Sequence, residues 1–304
     1  MPPGSASMHQ LPFIKMHGCG NDYVFIDAMD WTSAAFQQLD AASTAKRISD
    51  RHRSIGSDGL VMMLASDRND ADARMRMYNA DGSEGTLCVN ALRCMAMWLH
   101  QSGRGEMHCR IAMQDRIIDT EVLSSDVMRK QANVRIDIGT PVVVSPDAVG
   151  LLKFQRPLTL ADVFLQARPL QLTAVSIGNP HAIVLVDDVK SVAIETLGPE
   201  IERHPLFPDR TNVEFVQLTS VGSAIVRVWE RGAGETQACG SGACAAAVMG
   251  CASGLFSVDQ PIQIRMHGGD VFVRMSVDHE VSLEGPAEES FRGHLAIYTP
   301  RSSE

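Results

Sequence analysis

The sequence lacks any apolar run approaching the roughly 18 residues that a membrane-spanning helix needs, and no signal peptide opens it. Basic residues are in deficit: 27 Lys and Arg stand against 36 Asp and Glu, a net charge of −9, with an isoelectric point near 5.6. That balance argues against nucleic acid or an anionic membrane surface as partner. Cysteine is present without a framework. Seven is an odd number and none of them forms Cys-x-x-Cys, so a small disulfide scaffold and a thiol-redox motif are both disfavoured. Free thiols in a reducing cytoplasm are the expectation. The glycine turns do not match Gly-x-Gly-x-x-Gly behind a strand of a parallel βαβ unit, which weakens a dinucleotide reading.

What is present centres on one stretch, Glu230-Arg-Gly-Ala-Gly-Glu-Thr-Gln-Ala-Cys239-Gly-Ser-Gly-Ala-Cys244, with the apolar run that follows it to Gly254. It reads as a strand over 224–229, a glycine-rich turn and a helix that the turn opens. Cys239 then sits at a helix N-terminus, where unpaired N–H groups and the macrodipole favour negative charge. A lowered thiol pKa is the expectation. The N–H groups exposed at Gly240, Ser241 and Gly242 form a site for a carboxylate or phosphate. A second copy, Asp81-Gly-Ser-Glu-Gly-Thr-Leu-Cys88-Val-Asn-Ala-Leu-Arg-Cys94, also follows a strand-like run (74–78) and opens a helix with Leu92, Met95, Ala96 and Leu99 at helical spacing. Before each copy lies an echo, Gly20-Asn21 and Gly178-Asn179, each leading into an apolar strand. This is an internal duplication. Duplicated halves commonly face each other across a pseudo-twofold cleft, and two facing thiols suggest chemistry on both faces of one carbon.

With 304 residues, 45% hydrophobic, the chain can fill two cores. Residues 1–10 read as a disordered extension, 11–138 as a first half joined by a returning strand within 290–304, and 139–289 as a second half. Helices are expected over 41–52 and 193–203. Strands are expected over 11–16, 23–27, 60–64, 133–138, 172–177, 182–186, 213–218, 262–265, 271–277, 281–284 and 295–299. The stretch 145–168 has mixed patterning and takes no element. The segment 243–252 is apolar or small all round, and a helix without a polar face is buried. Each half is therefore expected to be a curved, mostly antiparallel sheet wrapped around a central helix, an α+β architecture.

Several chemistries compete for the suspect residues. Cys88 and Cys94 are separated by five residues and Cys239 and Cys244 by four, wider than structural zinc pairs favour, with the second cysteine inside a helix. Cys19, in the turn His17-Gly-Cys-Gly-Asn21, is a candidate reactive thiol without a counterpart in the second half. His181 could pair with a cysteine or be a solvated turn residue. Asn21, Asn79, Asn179 and Asn212 sit at strand or turn ends and could serve only those turns. Arg231 could be a surface partner of Glu230 or a bidentate clamp for a carboxylate.

These residues resemble the diaminopimelate epimerase family over essentially 13–298. The resemblance rests on Lys15-Met-His-Gly-Cys-Gly-Asn-Asp22, Tyr78-Asn-Ala-Asp-Gly-Ser-Glu84, Gly178-Asn-Pro-His181 and the Glu230 to Cys244 stretch. It implies two pseudosymmetric α/β domains and epimerisation of LL-2,6-diaminopimelate to meso-diaminopimelate, a step of lysine and peptidoglycan-precursor synthesis. It makes Cys88 and Cys239 the paired acid and base, with His181 and Glu230 tuning them. Asn21, Asn79, Asn179, Asn212 and Arg231 would hold the distal end of the substrate. The amides at Val89-Asn90 and Gly240-Ser241 would hold the reacting carboxylate. No lysine lies in a recognisable pyridoxal-phosphate context, so neither cofactor nor metal is expected. The expected partner is a small amino acid, with a homodimer as the candidate assembly.

One cluster departs from the family pattern. Cys-Gly-Asn-Gly-Ala-Arg is replaced by Cys88-Val-Asn-Ala-Leu-Arg93, and a glutamine after the Gly-x-Asp turn is replaced by Gly59. The added side chains are expected to crowd the carboxylate and Gly59 to open space beside it. On that reading, Val89→Gly with Ala91→Gly raises kcat/KM about fivefold to tenfold. Two other readings stay open: a racemase of another amino acid on the same scaffold, and a catalytically silent binding paralogue.

Overall fold

The computed structural model describes residues 7–31, 39–114, 116–144, 158–165 and 168–299. Among the described residues, eighteen strands form one connected set of hydrogen-bonded neighbours. Four α-helices occur among the described residues: α1 (Ala41–Ser49), α2 (Val89–Gln101), α3 (Ile194–Glu202) and α4 (Gly240–Ala252).

The duplication read from two cysteine turns extends through the whole topology. In the first copy, Asn21–Ala28 runs parallel to Gly59–Ala65, which turns back antiparallel onto Ala73–Asn79. That strand pairs parallel with His108–Ala112. In the second copy, Pro180–Leu185 runs parallel to Asn212–Ser220, which pairs antiparallel with Ser223–Glu230, itself parallel to Ile262–Met266. Parallel neighbours need a crossover, and the helices supply it in matching places. α1 and α3 serve the first parallel pair of each copy, α2 and α4 the second. The remaining pairings are antiparallel among the described residues.

α2 and α4 occupy the middle because neither has a broad polar face. Residues 89–99 of α2 and 240–250 of α4 are all buried, and both helices belong to a single apolar cluster. Smaller clusters lie beneath α1 and α3. The expected central helices are present, but their cores merge where the two helix N-termini meet.

Some boundaries differ from expectation. The first strand, Ser7–Gly18, begins inside the expected extension, with Ser7 to Gln10 paired to Thr299 to Ala296. The strands expected at 281–284 and 295–299 are one strand, Val281–Thr299. It pairs first with Gly269–Met275 and Gln131–Gly139, then with Ser7–Gly18, so it ties the two copies together. α1 stops at Ser49 rather than 52 because the Asp50 carboxylate accepts from the N–H groups of His52 and Arg53 at 2.8 and 2.9 Å. Such a local turn competes with helix continuation. Within 145–168, Leu158–Leu165 forms a strand paired with Arg168–Ser176; residues 145–157 and 166–167 lie outside the described residues.

Candidate active site

Cys88 and Cys239 occupy the same position, the N-cap, of the two central helices. Both have extended backbones, φ −136°, ψ 103° and φ −120°, ψ 111°. Each sulfur accepts from the N–H three residues on, Ala91 and Gly242, at 3.4 Å. A thiol thus does what a Ser or Asn side chain does at most helix starts. The two N-termini then abut. A Cβ on Gly240 would lie 2.7 Å from Val89 Cβ and 3.4 Å from Asn90 Oδ1. Asn90 Nδ2 donates to Ala238 O at 3.2 Å and to Asn21 Oδ1 at 2.9 Å, lacing the first cysteine's helix to the residue before the second cysteine.

The Gly-Asn turns bring an asparagine to each thiol. Cys19 and Gly20 both take positive φ, 54° and 76°, as does Gly178 at 91°, conformations in which glycine is unstrained. Asn21 Oδ1 accepts from the Cys88 thiol at 3.7 Å. Asn179 Nδ2 donates at 3.2 Å to Ser241 Oγ, which lies 3.4 Å from Cys239 Sγ. Asn212 Oδ1 accepts from the Arg231 N–H at 2.8 Å, and Asn79 Nδ2 donates to Ser83 Oγ at 2.9 Å. A cleft of about 1330 Å³ is lined by Asn21, Asn79, Asn179, Asn212, Glu230 and Arg231. Cys88, Val89, Asn90, His181, Cys239, Gly240 and Ser241 lie outside that lining, each thiol being linked by short contacts to a cleft asparagine.

The electrostatics overturn one expectation. Both thiols lie above the ordinary thiol range instead of below it. Burial is the largest cause for Cys88; the Glu230 charge adds to it, while the Ala91 N–H, Tyr23 and Arg93 pull back. Cys239 is pushed well up by burial and then by the charges of Glu230 and Glu214, against Ser241 and the Gly242 N–H. The helix N-terminus acts in the expected direction, but desolvation outweighs it. Cys19 is buried rather than presented to solvent; burial raises its thiol too, and its Sγ lies 3.8 Å from Asp270 O.

Glu230 is pushed up to about 7, by burial first and by the charges of Asp58 and Glu214 next, although the Thr236 hydroxyl donates to its Oε1. A raised carboxyl stabilises the fold fully below its unfolded value, and that contribution disappears as pH climbs through the folded one. The ordinary value is 4.5, so the loss spans about pH 4.5 to about 7. It amounts to about 3 kcal/mol. In denaturant titrations, the stability advantage of Glu230→Gln over the parent should grow by about that amount between about pH 4.5 and about pH 8. A constant difference would show that the carboxyl titrates normally.

Two of the departures behave differently from expectation. A Cβ on Gly59 would lie 2.1 Å from Tyr78 O and 3.1 Å from the Tyr23 ring, so glycine opens no space there. Val89 is 2% exposed and fills the seam between the helices, opposite Gly240. The residues missed from sequence are Glu214, Tyr23, Asp58 and Arg93. Glu214 carried a signal, a carboxylate inside the apolar run of Val213, Phe215 and Val216. Asp58 accepts from Asn21 Nδ2 at 2.7 Å, and Arg93 NH2 donates to Asn90 Oδ1 at 2.8 Å. Among the described residues, no group of three or more His, Cys, Asp or Glu is arranged to hold a metal ion.

The family model described as diaminopimelate epimerase matches residues 13–144 and 173–289. The diaminopimelate epimerase of Desulfitobacterium hafniense is 37% identical over 286 residues, 94% of this chain and 98% of that protein. That of Moorella thermoacetica is 38% identical over 287 residues, 94% and 99% of the two chains. Among solved structures, a hydroxyproline epimerase from Agrobacterium vitis with bound trans-4-hydroxy-L-proline superposes with a TM-score of 0.67. It is 13% identical and covers 97% of this chain and 93% of that one, a likeness of fold.

Proposed function

The chain belongs to the diaminopimelate epimerase family, and from that premise we propose that it interconverts LL- and meso-diaminopimelate with Cys88 and Cys239 as paired acid and base. The observation that carries this reading is the abutment of two cysteine-capped helix N-termini at Val89 and Gly240. One thiolate removes the α-proton; the opposite thiol delivers a proton to the other face, inverting the carbon. Negative charge develops beside the reacting carboxylate. The leading N–H groups of both helices, at Val89-Asn90 and Gly240-Ser241, lack intrahelical partners and stabilise that charge electrostatically. Asn21, Asn79, Asn179, Asn212 and Arg231 hold the distal amino-acid end in the cleft. His181 and Glu230 govern the protons behind the thiols. Because both thiols lie above their ordinary range, the substrate helps to create the thiolate, its ammonium group supplying a nearby positive charge.

We read 11–138 with 290–304, and 139–289, as the two catalytic halves of a cofactor-independent cytoplasmic enzyme, with a homodimer as the assembly to check by light scattering. The decisive experiment follows the α-protons of LL-diaminopimelate in D2O by NMR. Deuterium should enter the α-position as meso product accumulates. Absence of exchange would remove the epimerase reading, and faster exchange on histidine, lysine or glutamate would reassign the substrate.

A further inference from the structure

Arg93 is a cation with no exposed surface, carried into the core by α2. Its Nε donates to Pro286 O at 3.0 Å and its Nη2 to Asn90 Oδ1 at 2.8 Å. Nη1 is buried without a hydrogen-bond partner among the described residues. Neutral acceptors compensate a buried guanidinium poorly, so stability alone does not account for it. Two strands are shaped around this group. A Cβ on Gly18 would lie 2.5 Å from Nη2, and one on Gly285 would lie 3.3 Å from Nε. The guanidinium therefore occupies a slot that a side chain on either strand would narrow.

What the slot fixes is the carboxamide of Asn90, a residue 2% exposed. Arginine can only donate, so Asn90 Oδ1 faces it; a backbone carbonyl can only accept, so Nδ2 faces Ala238 O at 3.2 Å. Each partner admits a single direction. The two Nδ2 hydrogens then serve the two halves of the molecule, one on Ala238 O and the other on Asn21 Oδ1 at 2.9 Å. Asn21 is oriented in turn. Its Nδ2 donates at 2.7 Å to Asp58 Oδ2, which also accepts from the Asp22 N–H at 3.0 Å. Ala238 immediately precedes Cys239, and Asn21 Oδ1 accepts from the Cys88 thiol. One carboxamide thus binds a neighbour of each thiol.

We propose that Arg93 is a positioning residue: its planar fork holds the Asn90 carboxamide in the one orientation that ties the Cys88 and Cys239 turns at a fixed spacing. Lysine carries the same charge without the fork, so it does not lock the carboxamide in the same way. The Arg93 charge also favours ionisation of the Cys88 thiol. Arg93→Lys keeps that charge and removes the fork, which separates the two effects. The link to turnover rests on the two-thiol reading above; the locking of the carboxamide does not.

Arg93→Lys should lower kcat at least about tenfold while KM changes less, because a misplaced reacting group costs rate more than binding. In an Asn90→Ala background the same substitution should change kcat less than about twofold, since the group it orients is gone. Wild-type kcat in Arg93→Lys, a loss confined to KM, or losses that multiply in the double variant would each overturn the proposal. A measurement on the wild-type chain decides even if Arg93→Lys fails to fold. The Asn90 side-chain amide, labelled with 15N and assigned by its disappearance in Asn90→Ser, should exchange hydrogen at least about a hundredfold more slowly than a free asparagine amide. That protection should fall in a folded Arg93→Lys chain. Wild-type exchange at the free rate, or protection unchanged in Arg93→Lys, overturns the proposal as well. Failure of the two-thiol reading would show itself separately, as turnover that survives loss of a cysteine.

Discussion

Cys88→Ala and Cys239→Ala are each expected to lose epimerisation by at least about a thousandfold in kcat, the scale on which a positioned acid or base contributes. On the proposed two-thiol mechanism each face of the α-carbon has its own proton carrier, and neither thiol serves the other's face. The residual chemistry should be lopsided. With one thiol left, a proton can be removed and returned on the same side, so each variant should wash solvent deuterium into one stereoisomer without inverting it. The two variants should choose opposite isomers. Turnover near the wild-type rate in either variant would end the two-thiol mechanism, and exchange of the same isomer by both would contradict facing thiols. Cys94 and Cys244 are fully inside the core, with burial holding Cys94 up at about 12 and Cys244 higher still. Alanine at either should cost packing and leave kcat in place.

Gly240→Ala should be the second most damaging change of those considered, although it adds a single methyl. That methyl would lie 2.7 Å from Val89 Cβ and 3.1 Å from Val89 Cγ1, and both atoms belong to a closely packed seam. Overpacking of this kind typically costs about 1–3 kcal/mol. Here the strain falls on the contact that sets the spacing of the two N-termini, so kcat/KM should fall about a hundredfold, since small misplacements of reacting groups are costly. Val89→Gly alone should lose about 2 kcal/mol of stability by leaving a void. It should not produce the gain in activity expected when Val89 was read as an obstruction beside the anion. Combining Val89→Gly with Gly240→Ala moves the bulk across the seam and should recover much of the activity that Gly240→Ala loses. If Gly240→Ala retains full activity, the helices do not pack through these residues.

The amino-acid sequence determined the elements that depend on local pattern. The all-apolar segment after Cys239 could only be a buried helix, because it has no polar face to offer to water. The two Gly-Asn turns and the two cysteine turns marked a duplication because glycine, asparagine and cysteine recur there in the same order. The folded chain carries that duplication through four helices and four parallel pairings. The positions of Cys88 and Cys239 at helix starts were legible for the same local reason. What only the tertiary structure decided depends on distances between residues remote in sequence. The thiol pKa direction reversed because burial and the charges of Glu230 and Glu214 outweigh the helix N-terminus, and desolvation is a property of the surroundings. Val89 changed from an obstruction to a wedge because Gly240, 151 residues away, lies opposite it. Glu214 entered the site because the parallel register of its strand with Pro180–Leu185 brings its carboxylate to His181. A pattern of period two can mark such a residue as anomalous, but only the neighbouring strand supplies its partner.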